Sequence, residues 1–264
     1  MKKLIALVLA LVLMAACFVG CAEEKAAEKT VVVGYTIYAP MNYLDDSGKL
    51  IGFDTELAEA VFEGMGYKVI FKEIDWDSKY TDLESGTIDC VWNGFTANTA
   101  DKDGIARADK VDFSYNYMEN RQVIVVKSGT TIASAEDMAG KMVAAESGSA
   151  GQAYAEGFEG ANVKGFSKQT DCLMEVNAGT MDVAVLDAQL AKSYCGKGDY
   201  AELEIIDALS SDVEFYAIGF KKGSDLTAKV NEQLDNLAKD GTIAKLAEKY
   251  GVANTAITDF ADQK

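Results

Sequence analysis

The order of apolar segments along the chain limits the fold more than any other feature of the sequence. Short β-branched runs typical of strands alternate with amphipathic segments of helical spacing, beginning with TVVVGY at 30–35 and DTELAEAVFEGMG at 54–66. In the second segment Asp54 is predicted to cap a helix that has Leu57 and Met65 on one face. Strands separated by helices predict an α/β fold with largely parallel sheets.

The alternation restarts in the middle of the chain, where RQVIVVK (121–127) begins a second series of strands and helices. VEFYAIGFKKG (213–223) is predicted as one long strand, and two helices follow it. This pattern predicts two three-layer α/β lobes joined by two crossing hinge strands. We expect 30–118 and 220–264 to form lobe 1, and 119–219 to form lobe 2. A ligand would bind between the lobes, at the carboxyl ends of strands.

Residues 1–20 are typical of a signal peptide. Two lysines precede an apolar run at 4–19 that is short for a membrane span. The run ends in FVGC, which resembles a bacterial lipobox and predicts cleavage before Cys21 with a lipid on that cysteine. MAAC offers Cys17 as a second position, and a cleaved signal without a lipid is a third alternative. The charged segment 21–29 would then be a flexible tether.

Charge and composition exclude several classes of function. The chain has a formal net charge of -17, which disfavours nucleic acid binding because phosphate contacts need a basic surface. Removal of the signal deletes two lysines and no acid, so the mature chain would carry -17 - 2 = -19. The sequence has no histidine, the commonest general base and a frequent metal ligand. We therefore expect neither a cofactor nor a metal.

Three cysteines lie beyond the predicted signal and lipobox, namely Cys90, Cys172 and Cys195. Export permits a disulfide, and Cys172–Cys195 is the conceivable pair. The spacing fits no metal site, and an odd number leaves at least one thiol free. Buried free cysteines are the simpler prediction.

Arginine is rare in this sequence. The 25 basic residues include only Arg107 and Arg121 as arginines, and Arg107 lies in an acidic loop after the predicted strand TIDCVW (87–92). A guanidinium differs from an ammonium group because it holds a carboxylate by two parallel hydrogen bonds. Arg107 is therefore a candidate ligand for the carboxylate of a bound molecule. The alternative is a solvated loop residue paired with Asp103 or Asp109.

Six segments are informative as a set because of their order along the chain: GFDTELAEAVFEGM (52–65), VWNGFT (91–96), RADKVDFS (107–114), VAAESGSAGQ (143–152), MDVAVLD (181–187) and DGTIAKLAEKYG (240–251). In that order they resemble the solute-binding proteins of polar amino acid ABC importers, bacterial extracellular solute-binding protein family 3. The resemblance implies a two-lobe periplasmic-binding-protein-like II fold. It also implies a monomer, anchored outside the membrane by its lipid, that captures an L-amino acid and delivers it to an ABC permease and its ATPase.

The carboxylate of such a ligand would be held from both lobes. Ser149 and Ala150 lie where a helix is predicted to begin after Gly148, so their backbone N–H groups and the helix dipole favour an anion. With Arg107 from lobe 1 they would clamp one carboxylate, and lobe closure would then depend on ligand. The alternative is that residues 147–151 only begin a helix.

The ligand's ammonium group would need three acceptors. The resemblance implies Asp187 at the α-amino group, with the Gly94 carbonyl and the Thr96 hydroxyl completing the set. Asp187 could instead cap the helix predicted to begin at Ala188.

Aromatic and amide side chains complete the implied site. Tyr38 and Trp76 match positions at which relatives enclose the aliphatic part of the ligand, although both could be core aromatics. Asn93, adjacent to Gly94, would contact the ligand's side chain. Tyr35 stands where relatives for basic amino acids often carry an acid, which argues against a lysine or arginine specialist.

The chain departs from the family pattern at two places. Relatives reach their arginine sooner after the glycine, so we interpret residues 97–106 as an insertion; without it, Lys102 or Arg121 would be the carboxylate ligand. Phe62 replaces a small residue, and we assign it to core packing.

Two other functions are alternatives to a binding protein. An enzyme of the prephenate or arogenate dehydratase type, on the same scaffold, would need a general acid in the cleft. Glu146 is the nearest candidate, although we expect it to end its strand and point elsewhere. A ligand sensor would need a membrane partner to carry its signal.

Overall fold

The structure, a computed structural model, describes residues 29–263. The predicted signal peptide, the candidate lipid-attachment residues Cys21 and Cys17, and the tether as far as residue 28 lie outside the described residues. Within residues 29–263 no helix has the length and apolar character needed to cross a bilayer.

The regular elements of the described residues follow the predicted alternation. The strands are β1 (Thr30–Tyr35), β2 (Tyr43–Leu44), β3 (Leu50–Ile51), β4 (Lys68–Glu73), β5 (Cys90–Val91), β6 (Asp112–Phe113), β7 (Met118–Asn120), β8 (Gln122–Lys127), β9 (Met142–Glu146), β10 (Asn162–Phe166), β11 (Val183–Asp187), β12 (Leu203–Ile206), β13 (Glu214–Tyr216) and β14 (Gly219–Phe220). The α-helices are α1 (Phe53–Gly64), α2 (Lys79–Ser85), α3 (Arg107–Lys110), α4 (Ala150–Glu156), α5 (Gln169–Ala178), α6 (Ala188–Tyr194), α7 (Leu226–Lys239) and α8 (Thr242–Lys249).

Two five-stranded sheets form the centres of two lobes. The first has the order β4-β1-β5-β14-β6 and the second β10-β9-β11-β8-β12. In each sheet four strands run in one direction, and a single strand, β14 or β8, runs against them. The predicted two-lobe α/β fold with largely parallel sheets is confirmed.

The reversed strand of each sheet follows a hinge strand. β7 and β13 pair antiparallel between the lobes, with Asn120 opposite Glu214. β7 leads into β8, and β13 leads through Ala217 and Ile218 into β14. The chain therefore enters each lobe from the hinge, and the strand that it forms there runs opposite to the other four strands of that sheet. The prediction of one continuous strand over 213–223 was wrong because this segment changes sheets.

The two ends of the described chain meet in the first lobe. Helices α7 and α8 pack against α1, and β14 lies between β5 and β6 in the first sheet. The lobe boundaries, 30–118 with 220–264 and 119–219, stay a prediction.

Two strands of the second sheet had no clear signal in the sequence. β10 and β12 lie at its two edges, and β10 has no fully buried residue. An edge strand packs on fewer neighbours, so its apolar alternation is weak. The segment SAEDMAG forms a 3₁₀ turn at Ala135–Met138, closed by a capping box from Ser134.

Buried apolar side chains cover both faces of the two sheets. Phe62 is fully buried, and its ring meets Trp92 edge-on at a centroid distance of 6.0 Å, as expected for core packing. Cys90, Cys172 and Cys195 are all free thiols, so the conceivable Cys172–Cys195 disulfide is not formed.

We expect Phe62→Ala to lower the free energy of unfolding by about 3–5 kcal/mol, because removal of a buried ring leaves a cavity. Leu44→Ala is the control, since Leu44 is 53% exposed and its truncation should change stability by no more than about 0.5 kcal/mol. Urea denaturation followed by circular dichroism measures both. Equal losses in the two variants would refute the core assignment of Phe62.

Candidate functional site

A small cavity between the lobes gathers every residue that the resemblance implied for the site. Its free volume is about 10 Å³, about the space that one water molecule needs. Larger grooves of about 420 and 440 Å³ open on the surface. We place the site at the small cavity because several polar groups converge there. A ligand larger than one water molecule would hold the lobes further apart than they stand here. Its lining residues are Tyr38, Trp76, Asn93, Gly94, Thr96, Arg107, Glu146, Ser149, Ala150, Gln169 and Asp187.

Arg107 is buried at the first residue of α3, with 1% of its surface exposed. Its Nε donates to Asp101 at 2.8 Å. Burial opposes ionisation of that carboxyl, but the charge of Arg107 together with hydrogen bonds from Tyr80 and Lys110 lowers its pKa. The predicted alternative partners were wrong, because Asp103 pairs with Lys110 and no hydrogen bond joins Arg107 to Asp109 within the described residues.

The guanidinium keeps capacity for a further carboxylate. Nη1 donates to the Thr96 carbonyl and Nη2 to the Gly148 carbonyl, each at 3.2 Å. Since a guanidinium has five N–H donors, these two bonds and the bond to Asp101 leave one donor on each terminal nitrogen. Two such donors are the number that a bidentate carboxylate accepts.

The segment 97–106 folds into a loop that supplies the partner of Arg107. A β-bridge joins Ala100 to Ala106, and the Arg107 N–H donates to the Thr99 carbonyl at 3.1 Å. The loop returns at once to the start of α3, with Asp101 folded back onto the guanidinium. The extra residues before Arg107 therefore supply the carboxylate, Asp101, that compensates the buried guanidinium charge.

The Gly148 carbonyl joins the two lobes. It accepts from Lys79 Nζ at 3.0 Å as well as from Arg107, both on the first-lobe side. Lys79 is 1% exposed, and burial together with Arg107 lowers its pKa to about 7. Gly148 has a positive φ, and a Cβ there would lie 2.6 Å from Asp77 Oδ1 and 3.2 Å from the Asp77 Cα, so the two lobes approach each other closely here.

Ser149 and Ala150 begin helix α4, as the sequence indicated. The Ser149 hydroxyl accepts from the Gln152 N–H at 3.0 Å, and the Ser149 N–H donates to the Glu146 carbonyl at 3.1 Å. Ser149 is therefore a side-chain cap whose own N–H is already used. Ala150 is the first helical residue, and its N–H is among the donors that a helix start leaves without an intrahelical acceptor.

Asp187 ends β11 and is held by neutral amides. Its Oδ1 accepts from Asn120 at 2.6 Å and from Gln122 at 2.7 Å, and its Oδ2 accepts from Gln169. The side chain makes no capping bond to α6, so the capping alternative was wrong. Burial raises the pKa of Asp187, although the hydrogen bonds from the amides act in the opposite direction.

Glu146 contradicts the expectation that it points away from the cleft. It ends β9, is 3% exposed and lines the cavity. Its Oε1 is buried with no hydrogen-bond partner among the described residues. Burial and the charge of Asp187 raise the pKa of Glu146 to about 8.

Gly94 and Asp54 shape the other side of the cavity. Asp54 does not cap α1, which begins after Gly52 without a side-chain cap. Its Oδ2 accepts from the Gly94 N–H at 2.8 Å and from the Tyr117 hydroxyl at 2.9 Å, and burial raises its pKa to about 7. Gly94 has a positive φ, and a Cβ there would lie 2.6 Å from Tyr38.

Asn93 lines the cavity with its side chain already engaged. Its Nδ2 donates to the Thr36 carbonyl at 2.9 Å and to Asn42 Oδ1 at 2.7 Å. Its Oδ1 accepts from the Thr36 hydroxyl at 2.7 Å. Both amide hydrogens are thus used, which leaves Asn93 little capacity to contact a ligand's side chain.

Thr96 links the cavity to the hinge. Its hydroxyl donates to Glu214 on hinge strand β13 at 3.2 Å, and burial and Asp187 raise the pKa of Glu214 to about 7. Glu214 also accepts from Gln122 at 2.8 Å and Asn120 at 3.3 Å. One polar network therefore connects the cavity with both hinge strands.

Tyr38 and Trp76 are both core aromatics and cavity walls. Tyr38 is 2% exposed and its hydroxyl lies 2.6 Å from that of Tyr216. Trp76 packs edge-on against Phe95 at 5.3 Å. Their rings give the cavity its apolar surface.

Sequence reasoning missed the partners of the implied residues. Gln169, Gln122, Asn120 and Glu214 carry no motif, and Asp54 was assigned to a local cap. Glu146 is the residue that the sequence could have placed at the site. It ends a predicted strand, and the carboxyl ends of strands in a largely parallel sheet meet at one edge.

A closed cleft between two α/β lobes, lined by a guanidinium and by carboxyls without ion pairs, defines a two-lobe solute-binding protein. Residues 31–253 match the family described as bacterial extracellular solute-binding proteins, family 3, and the chain belongs to this family. No group of acidic or cysteine side chains in residues 29–263 could hold a metal ion.

Known proteins with the same organisation resemble the chain over most of its length. The arginine-binding extracellular protein ArtP of Bacillus subtilis is 28% identical over 259 residues, 95% of this chain and 98% of ArtP. The probable amino-acid-binding protein YxeM of Bacillus subtilis is 31% identical over 268 residues, covering 95% of each. A solved structure of an ancestral arginine-binding protein bound to arginine has a TM-score of 0.77 and 35% identity, over 84% of this chain and 98% of its own.

The raised pKa values of Asp54, Glu146 and Glu214 predict how stability depends on pH. An acid with a higher pKa in the folded state binds more protons folded than unfolded between the two values, so the free energy of unfolding falls as pH rises through that range. We expect this fall between about pH 5 and about pH 6.5, below the range in which Lys79 acts with the opposite sign.

Urea denaturation at several pH values tests the slope and its origin. Glu146→Gln should make the fall shallower, because one of the three acids no longer titrates. Glu159→Gln, which removes an exposed carboxyl from the same lobe, should leave the slope unchanged. A slope that is zero or rising in the wild-type chain would refute the assignment of raised pKa values to these acids.

Proposed function

We propose that this chain captures a free L-amino acid between its two lobes, outside the membrane, and delivers it to the permease of an ABC importer. One observation carries the proposal: a single cavity contains Arg107 with two N–H donors and Asp187 with a carboxylate that find no partner and no cation, respectively, among residues 29–263. The α-carboxylate and α-ammonium of an amino acid supply the two groups that these side chains lack.

The carboxylate would accept from the two terminal nitrogens of Arg107 and from the N–H of Ala150. A bidentate charged pair in a desolvated cleft contributes on the order of 1.5–3 kcal/mol. The role of Ser149 is to fix the start of α4 through its hydroxyl, since its N–H donates within its own turn.

The ammonium would donate to Asp187, to the Thr96 hydroxyl oxygen and to the Gly94 carbonyl. The amides around Asp187 hold its carboxylate in place but add no positive charge. The ligand's ammonium group would therefore be the cationic partner of Asp187, and it would stabilise the charged form of the acid. Tyr38 and Trp76 would cover the aliphatic carbons.

Delivery requires the lobes to open and close. Arg107 and Lys79 reach the Gly148 carbonyl only when the lobes are close, and the hinge strands β7 and β13 give the chain two points of rotation. A ligand held from both lobes favours the closed form by its greater affinity for it. We propose that the predicted lobes 30–118 with 220–264 and 119–219 move as two bodies.

The export features complete the proposal. The chain would be cut before Cys21, with Cys17 as the alternative position, and remain at the outer face of the membrane as a lipid-anchored monomer. Cleavage and lipid are testable by mass spectrometry of the protein purified from membranes.

The chain is a binding protein and not an enzyme, as its relatives named above are. Glu146 has the raised pKa of a general acid, but a buried carboxyl at a ligand site has this property without any reaction. The sensor alternative has no supporting feature in the described residues.

We expect Arg107→Ala to weaken amino acid binding by at least about tenfold and up to about a hundredfold, because the carboxylate loses its charged fork. Isothermal titration calorimetry of residues 22–264, refolded to remove bound amino acid, measures the affinity for each of the twenty L-amino acids. Arg107→Lys should recover part of the loss, since the charge remains and the planar fork does not.

Arg121→Ala is the matched control, because it removes the chain's other arginine, which is exposed and donates to the Ser211 carbonyl. Its affinity should equal that of the wild type. Amino acid amides, which lack the carboxylate, should bind weakly to wild type and Arg107→Ala alike. Equal affinity of Arg107→Ala and wild type for every ligand would reject the role of Arg107.

A second experiment tests closure at Gly148. The Gly148→Ala substitution places a Cβ against Asp77 on the opposite lobe, so we expect weaker ligand binding. Gly179→Ala is the control, because Gly179 has a similar positive φ but its Cβ would meet open space. Both variants carry the same backbone strain, and only the first obstructs the closed form. Matching affinities in the two variants would show that binding does not need this approach of the lobes.

A further inference from the structure

Four buried carboxyl groups surround the cavity without an ion pair. Asp54, Glu146, Asp187 and Glu214 are each at most 6% exposed, and none takes part in a salt bridge within residues 29–263. Their bonded partners are backbone N–H groups, hydroxyls and amides. A buried carboxylate held only by neutral donors still favours a nearby cation.

The cations of the cleft do not balance these acids. Arg107 is paired with Asp101, and Lys79 donates to the carbonyls of Trp76 and Gly148. A zwitterionic ligand bound between Arg107 and Asp187 adds one charge of each sign and changes nothing in this balance. The cavity therefore has more acidic groups than cations after the α-carboxylate and α-ammonium are bound.

Two acids of this set, Asp54 and Glu146, have a buried carboxyl oxygen without a hydrogen-bond partner in the described residues, and of the two only Glu146 lines the cavity. It ends β9, beside the end of β11 that carries Asp187, and it lines the cavity. Its buried Oε1 has no hydrogen-bond partner in the described part of the chain. The nearby Gln169 donates an amide hydrogen to Asp187, and its carbonyl accepts the Asp187 N–H at 3.0 Å. A hydrogen bond from Gln169 also lowers the pKa of Glu146, so Gln169 reaches this carboxyl but leaves its Oε1 without a donor.

We propose that Glu146, flanked by Gln169, forms the subsite for the ligand's side chain and selects an L-amino acid that ends in a cation, a guanidinium or an ammonium. This inference rests on the proposed function, in which Arg107 and Asp187 hold the α-groups. The cation gives Oε1 its missing donor and balances the charge that Glu146 acquires when it loses its proton.

The expectation drawn from Tyr35 pointed the other way. Tyr35 is not among the residues that line the cavity, and its ring packs edge-on against Phe71. A tyrosine at position 35 in place of an acid therefore removes no carboxyl from the cavity. Glu146 supplies a carboxyl from the other lobe.

Proton release is a signature of this subsite. The charged groups that act on Glu146 are Asp187 and Asp75, which raise its pKa, and Lys79, which lowers it; the thiol of Cys172 and the hydroxyl of Tyr38 also lie near. With a pKa of about 8, Glu146 carries a proton at neutral pH. A cationic side chain beside it lowers that pKa, so binding expels the proton to solvent.

The test compares arginine with citrulline, a neutral molecule of nearly the same shape, on refolded residues 22–264. Titration calorimetry in two buffers of different ionisation enthalpy gives both affinity and protons released. Wild type should bind arginine at least about tenfold more tightly than citrulline, a difference of about 1.4 kcal/mol. It should release more protons with arginine than with citrulline, because only arginine brings a cation to Glu146.

Glu146→Gln should remove both the preference and the proton release, while citrulline affinity stays within about threefold. Glu159→Gln, an exposed acid of the same lobe, should behave as wild type. Lysine and ornithine extend the comparison to an ammonium group.

The outcomes separate this inference from the proposed function. Amino acid binding that depends on Arg107, with a preference for citrulline, glutamine or an apolar side chain, would overturn the cationic subsite and leave the proposed function standing. A cationic preference that persists in Glu146→Gln would overturn the role of Glu146. Failure of all amino acids to bind would overturn both.

Discussion

The burial of Arg107 is the constraint on which the cleft depends. A guanidinium that is 1% exposed needs compensation, because an isolated buried charge is among the costliest features of a folded chain. Asp101 supplies the opposite charge from the loop 97–106, and the carbonyls of Thr96 and Gly148 supply two acceptors, one from each lobe. One side chain thus ties together the extra loop, the strand-end loop of the first sheet and the opposite lobe.

The acids Asp187 and Glu214 differ from Arg107, because neutral amides and not opposite charges hold them. Asp187 and Glu214 are surrounded by the amides of Asn120 and Gln122, which fix the carboxylates without neutralising them. Asn120 and Glu214 face each other across the two hinge strands, so the network that holds the proposed ammonium site is also the network of the hinge. A cation that enters this network changes the electrostatics of the segments about which the lobes turn.

The alternation of strands and helices predicted the scaffold, and the resemblance to the family implied nine site residues. All nine implied residues line one cavity, since strands of a largely parallel sheet bring their carboxyl ends to the same edge. The predictions that failed concern contacts between residues that lie far apart in the sequence. Asp54 has the sequence context of a helix cap, yet its carboxylate bonds Gly94, 40 positions away. Glu146 ends a strand, and no local pattern states that this end overhangs the cleft. The two strands of the second sheet that the sequence did not indicate, β10 and β12, are sheet edges.

Closure of the lobes brings Lys79 and Arg107 to one carbonyl oxygen, that of Gly148. Two buried cations at one acceptor repel each other, and the pKa of Lys79 falls to about 7 through burial and the charge of Arg107. A ligand carboxylate beside Arg107 offsets that repulsion and favours the protonated form of Lys79. The lobe contact at Gly148 is therefore more stable with an anion in the cavity than without one. Ligand charge, through these two cations, links occupation of the cavity to the closed form.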